Sequence, residues 1–220
     1  MTKPNSKIVL IHGYGTGLDG VFMKPEAIDN GGFLVMQDKI DQGQAILYDW
    51  RINKKLSVID SLNPIENIKL YQDEVKLAMS KHNLLRLYNF LDLYNPSIII
   101  CHSLGCRMLL SHIELYPLNS NLERIILMQG DFNSNRDIPE SLIKKPNIAL
   151  ENYYCYWDQA LLSSGIINHY LRAGQVGWHP KNQTGIKNRI QNKFFPLIKP
   201  PNLHSACIRD KRLFDKLVRL

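Results

Sequence analysis

The run Ser97-Ile98-Ile99-Ile100-Cys101 is too short for a buried helix and too continuously apolar for a strand with one wet face. It reads as a strand covered on both sides. Similar short runs recur at Lys7–Ile11, Ala45–Tyr48, Arg124–Met128 and Asn147–Tyr154, with a weaker one at Lys193–Ile198 before Pro200-Pro201. Segments of helical period separate them. Ile65–Leu93 carries apolar residues at helical spacing between Pro64 and Asn95-Pro96, with a break expected near Ser80. Leu104–Tyr116 is a helix stopped by Pro117, Gln159–Arg172 another, and Cys207–Leu220 the last, with Leu213/Leu217 and Phe214/Val218 paired at i,i+4. Phe33–Ile40 is a weaker helix after Gly31-Gly32. Strands that alternate with helices need crossover connections, and crossovers make a mostly parallel sheet with helices on both faces. The expected class is therefore α/β, as a single domain over residues 1–220.

In such sheets ligands bind at the carboxyl ends of the strands. The residues just after each strand are therefore the places to look. At the end of the Ile98–Cys101 run comes His102-Ser103-Leu104-Gly105-Cys106, where a strand runs straight into a helix with Ser103 at the corner. Strand and helix backbones crowd such a turn, so small residues are needed on both sides of the serine. Gly105 and Cys101 meet that need. The first strand ends in His12-Gly13-Tyr14-Gly15.

These stretches resemble two signatures of the α/β-hydrolase family: the nucleophile elbow G-x-S-x-G, here with Cys101 in place of the first glycine, and the H-G oxyanion loop. The resemblance spans nearly the whole chain and implies a small single-domain serine hydrolase with a minimal cap or none. It implies that Ser103 is the nucleophile and that the backbone N–H groups of Tyr14 and Leu104 form the oxyanion hole. The family order Ser, acid, His implies Asp158 as the acid, in Tyr156-Trp157-Asp158 after the Asn147–Tyr154 strand, with Asp131 as the rival. It implies His204 as the base, before the last helix, with His179 in Gly177-Trp178-His179-Pro180 as the runner-up. His12 is expected to be structural, and His102 to stand beside the pocket.

The implied activity is cleavage of an ester or thioester, with an amide as a further option, through an acyl-enzyme and without a cofactor. The alternative is a non-catalytic or weakly catalytic ligand-binding protein on the same fold. A stretch around 166–192 is longer than a minimal hydrolase needs and is expected to overhang the site.

Competing readings are weaker. Gly15-Thr16-Gly17-Leu18-Asp19-Gly20 matches the dinucleotide fingerprint, but Pro25, Asp29 and Gly31-Gly32 disfavour the long helix that must follow it. The excess of 27 basic over 20 acidic residues gives a net charge of +7. The densest basic run, Arg209 to Arg219, reads as a solvated helix face, so no nucleic-acid partner is expected. Cys101, Cys106, Cys155 and Cys207 fall in no CxxC or zinc spacing, and no HExxH is present, so no metal is expected. No apolar stretch reaches the roughly 18 residues of a membrane span, and Ile8–Ile11 is too short for a signal-peptide core. A reduced, cytoplasmic protein acting on a small acyl substrate is the expectation, with the oligomeric state open.

Overall fold

The computed structural model describes residues 7–14, 32–50, 64–182, 189–196, 203–205 and 207–218. Six strands form one all-parallel sheet: β1 (Ile8–Ile11), β2 (Ala45–Tyr48), β3 (Ile98–His102), β4 (Arg124–Met128), β5 (Ala149–Tyr154) and β6 (Ile190–Phe194). Their order is β2-β1-β3-β4-β5-β6. The described helices are α1 (Gln37–Asp41), α2 (Pro64–Ala78), α3 (Lys81–Tyr94), α4 (Leu104–Leu115), α5 (Glu140–Ile143), α6 (Gln159–Asn168), α7 (Ala173–Val176) and α8 (Lys211–Leu217). The fold is α/β.

The period-2 alternation of strands explains why the central runs are apolar throughout. Val9, Ile11, Ile99, Cys101, Ile125 and Leu127 face one buried cluster, filled by Leu84, Leu87 and Leu91 of α3 and by α4. Ile8, Leu10, Ile98, Ile100, Ile126 and Met128 face the other, filled by Phe33, Met36 and by Phe214 and Leu217 of α8. Both faces are covered, and removing a methylene from either side costs about 1 kcal/mol.

Local chemistry sets the element ends. The long apolar-periodic stretch splits at Ser80, whose Oγ accepts a hydrogen bond from Asn83 N and caps α3. α3 stops at Asn95 in the left-handed region, just before Pro96. The stretch expected to be one helix to Arg172 stops at Asn168, with His169 left-handed behind it. The last helix begins at Lys211 under an Asp210 cap, after a 3-10 turn at Cys207–Arg209. Strand β6 lies earlier than its apolar residues suggest, at Ile190–Phe194, because an edge strand tolerates polar residues such as Gln191 and Asn192.

Strand order reverses around β1, which pairs with β2 on one side and with β3 on the other. The crevice outside the carboxyl ends of β1 and β3 is thus the topological switch point. His12-Gly13-Tyr14 and Ser103 sit there. Among the described residues no helix is long and apolar enough to cross a membrane.

Candidate active site

Ser103 occupies the corner between β3 and α4 with φ 51° and ψ −121°, a conformation that costs a non-glycine residue on the order of 1–3 kcal/mol. Three backbone bonds hold it there. Ser103 N donates to Met128 O, and Ser103 O accepts from Asp131 N and Cys106 N, each at 3.0 Å. The crowding that the sequence implied is visible at both glycines. A Cβ on Gly105 would lie 2.4 Å from His12 O and 2.6 Å from Ile11 O, and one on Gly13 would lie 2.7 Å from Ser103 Cβ. Cys101, which stands where the motif has its first glycine, turns its side chain into the core and is fully buried.

The serine side chain does not cap α4. Its Oγ instead lies 2.7 Å from His204 Nε2. His204 Nδ1 lies 2.7 Å from Asp158 Oδ2. A carboxylate can only accept, so Nδ1 carries the proton and Nε2 of the neutral ring accepts from the serine hydroxyl. Asp158 is fully buried, Ser103 is 3% exposed and the His204 side chain is 25% exposed, so the chain of groups opens to solvent at the imidazole.

Burial by itself would lower the His204 imidazole. The charge and hydrogen bond of Asp158, with a smaller contribution from Asp131, outweigh it and hold His204 above its ordinary value. Burial would likewise raise the Asp158 carboxyl. The His204 charge and hydrogen bond, together with N–H donors from Leu161 and Gln129, bring it below the usual range instead. Each partner stabilises the charged form of the other.

Asp158 also caps α6, its Oδ1 accepting from Leu161 N at 3.1 Å. Capping and pairing with a histidine coexist because the two carboxylate oxygens divide the work. Asp131 is as deeply buried but faces elsewhere. Its Oδ1 forms an ion pair with Arg172 Nε at 2.9 Å and accepts from Ser164 Oγ at 2.6 Å, and its Oδ2 accepts from Tyr71 OH at 2.8 Å. Of the two candidate acids, Asp158 is the one hydrogen-bonded to His204. His179 is exposed and pairs with Val176 O at 3.1 Å, away from this group.

The loop after β1 is braced by His12. Trp50 N donates to its Nε2 at 3.3 Å, so Nδ1 carries the proton and donates to Gly13 O at 2.9 Å, while the ring stacks on Trp50. Tyr14 follows, with its ring edge against Tyr71 and its hydroxyl pushed up to about 12 by burial, Glu74 and Tyr71. The backbone N–H of Leu104 belongs to the first turn of α4, where helical N–H groups have no intrahelical acceptor and the dipole is positive.

Sequence reasoning placed His102 beside the pocket without a task. Its Nε2 lies 2.7 Å from His204 O and must donate to it, tying the turn that carries His204 (Leu203–Ser205) to the end of β3. Burial, then the neighbouring His204, push His102 down to about 3, so the ring stays neutral. Gln129, Arg172 and Tyr71 were missed altogether. None has a sequence signal, because each matters only through partners distant along the chain. The Gly15–Gly20 motif lies outside the described residues. So does 183–188 of the 166–192 stretch, whose described part mixes buried and exposed residues: Trp178 is buried against Phe132, while Ile166 and Leu171 are exposed. Among the described residues no cluster of His, Cys, Asp and Glu could hold a metal ion. Searches of protein-family models, of curated proteins and of solved structures find no match to this chain.

Proposed function

We propose that this protein is a serine hydrolase that cleaves an ester or thioester, with an amide as a further option, through an acyl-enzyme. The observation that carries this reading is the unbroken line Ser103 Oγ–His204 Nε2 and His204 Nδ1–Asp158 Oδ2, both links 2.7 Å, starting from a strained strand-to-helix corner. A purely structural serine has no need of a histidine whose basicity is raised by a buried carboxylate.

In the proposed cycle His204 Nε2 takes the hydroxyl proton as Ser103 Oγ attacks the substrate carbonyl. Asp158 stabilises the imidazolium and keeps Nδ1 protonated. Charge that develops on the carbonyl oxygen meets the N–H groups of Tyr14 and Leu104. Collapse of the tetrahedral species expels the alcohol or thiol, which leaves with the proton held by His204. A water molecule deprotonated by His204 then attacks the acyl-enzyme, releasing the acid and restoring the serine hydroxyl.

The test is labelling with a fluorophosphonate, wild type beside Ser103→Ala, with mass spectrometry to locate the adduct. A Ser103 adduct that vanishes in the variant supports the reading, and a screen of short- and long-chain acyl esters and thioesters then defines the substrate. Absence of an adduct on folded wild-type protein overturns it.

A further inference from the structure

Asp158 Oδ2 accepts two hydrogen bonds. One comes from His204. The other comes from Gln129 Nε2 at 2.6 Å. Gln129 is fully buried at the carboxyl end of β4 and has φ 46°, one of the few non-glycine residues among those described with a positive φ. Such strain persists only where the surroundings over-determine it. Here Gln129 N donates to Tyr153 O at 2.8 Å, and Gly174 of α7 presses on its backbone. A Cβ on Gly174 would lie 2.1 Å from the Gln129 carbonyl carbon and 2.5 Å from its Cα.

The other end of the amide fixes its orientation. The carboxylate can only accept, so Nε2 must face Asp158 and Oε1 must face the opposite way. There it meets Cys207 Sγ at 2.7 Å, whose S–H donates to it. Burial, then the nearby Asp158, push the Cys207 thiol well up, so the donor proton stays in place. Cys207 follows the turn that carries His204.

We infer that Gln129 is the positioning residue of the acid: held by Gly174 and keyed by the Cys207 thiol, it fixes the Asp158 oxygen that orients His204. This rests on the hydrolase reading above. The chain of groups is then Cys207, Gln129, Asp158, His204, Ser103. Its members come from the carboxyl ends of three strands and from the segment that follows the sheet. Gln129 spends half of its donation on an oxygen that His204 also uses. It thereby tempers the basicity of the carboxylate as well as its direction.

The experiment measures two quantities on full-length wild type and Gln129→Met: the plateau rate of fluorophosphonate labelling at Ser103, and the pH titration of His204 followed by NMR of the imidazole. His204 is also faced by Asp158 and His102, with Asp131 farther off, and all three are left unchanged. Loss of one hydrogen bond to a charged group predicts a labelling plateau lower by on the order of tenfold. With one donor gone, Asp158 bears more charge toward His204, so the imidazole titrates at higher pH than in wild type. An unchanged plateau, or a His204 titration that stays put or moves down, overturns the inference.

Cys207→Val keeps Gln129 and removes only the group behind it, which provides a second test should Gln129→Met fold poorly. A severalfold lower plateau is expected there, with Cys207→Ser close to wild type; equal rates in Cys207→Val and Cys207→Ser count against the keying. If wild-type Ser103 is not labelled, the hydrolase reading falls, and the His204 titration alone still decides whether Gln129 acts on the Asp158–His204 pair.

Discussion

Two buried carboxylates lie just past neighbouring strands, and their surroundings differ in one respect. Asp158, beyond β5, shares its Oδ2 with a half-open imidazole. Asp131, beyond β4, faces the guanidinium of Arg172, which is fully buried, and is closed in by Tyr71 and Ser164. Each accepts hydrogen bonds at both of its oxygens. The Asp158 partner is an imidazole, a group able to take up and release a proton, while the Asp131 partner is a guanidinium, which is not. The comparison teaches that burial and hydrogen bonding alone would not mark the acid of the proposed triad. The chemistry of the partner would. Asp131 is better seen as a brace: its own N–H holds Ser103 O, and its side chain ties Arg172 and Tyr71 beneath the Tyr14 loop.

The largest expected effect separates the two acids directly. Asp158→Asn leaves His204 in the wrong tautomer and lowers the Ser103 labelling rate by roughly 10⁴-fold, whereas Asp131→Asn lowers it by no more than about tenfold. Equal losses in the two variants would erase the distinction drawn here. Rates of fluorophosphonate adduct formation on matched, folded proteins decide it.

Stability should rank them the other way. Asp131→Asn strands a buried guanidinium and costs about 3–5 kcal/mol in urea unfolding. The double variant Asp131→Leu with Arg172→Met removes both charges and recovers part of that loss. Asp158→Asn keeps a cap oxygen for Leu161 N and costs less.

The smallest effect is in pH. His204 must be neutral to accept the serine proton, and its imidazole is held above the ordinary 6.5. Labelling should therefore rise with pH and reach half its plateau above 6.5. In Asp158→Asn the midpoint should fall, because the charge that raises His204 is gone. In Asp131→Asn it should fall only slightly, since Asp131 is the lesser cause. The linkage has a matching sign. The raised His204 contributes stability at low pH that disappears as pH rises through its folded value. The depressed Asp158 contributes stability above its unfolded value that is lost as pH falls through its folded one. Urea unfolding followed from well below pH 3.8, where the Asp158 slope falls, up to pH 9 tests both slopes.

Much of this arrangement was legible in residue order. Strands β1 to β4 announce themselves by continuous apolar runs, because a strand covered on both faces has no polar side to show. Ser103 and Gly105 were legible because a crowded corner restricts which residues fit. Strand β6 was harder to place, since Ile190-Gln191-Asn192-Lys193-Phe194 at the edge of a sheet can be half polar without penalty. The stop at Asn168 was hidden because His169 adopts a left-handed conformation usually signalled by glycine. Gln129 was hidden more deeply. A neutral amide carries no charge signature, its positive φ leaves no trace in composition, and its partners Asp158 and Cys207 lie 29 and 78 residues away. Along the chain Asp158 is preferred to Asp131 on resemblance alone, because the partners that distinguish them, His204 and Arg172, lie beside them only in three dimensions.

His204 comes after all six strands, 101 residues beyond Ser103. As the chain emerges from the ribosome, the serine corner is therefore synthesised well before the His204 imidazole that pairs with its hydroxyl. On the proposed function, a nascent chain at that stage lacks the proton acceptor, and its Ser103 would be an ordinary alcohol. Docking of the final segment, through the His102 link to His204 O and the Cys207 link to Gln129, would then be the step that arms the serine of the proposed triad. On the same reading, a copy lacking that segment would be inert toward acyl bonds.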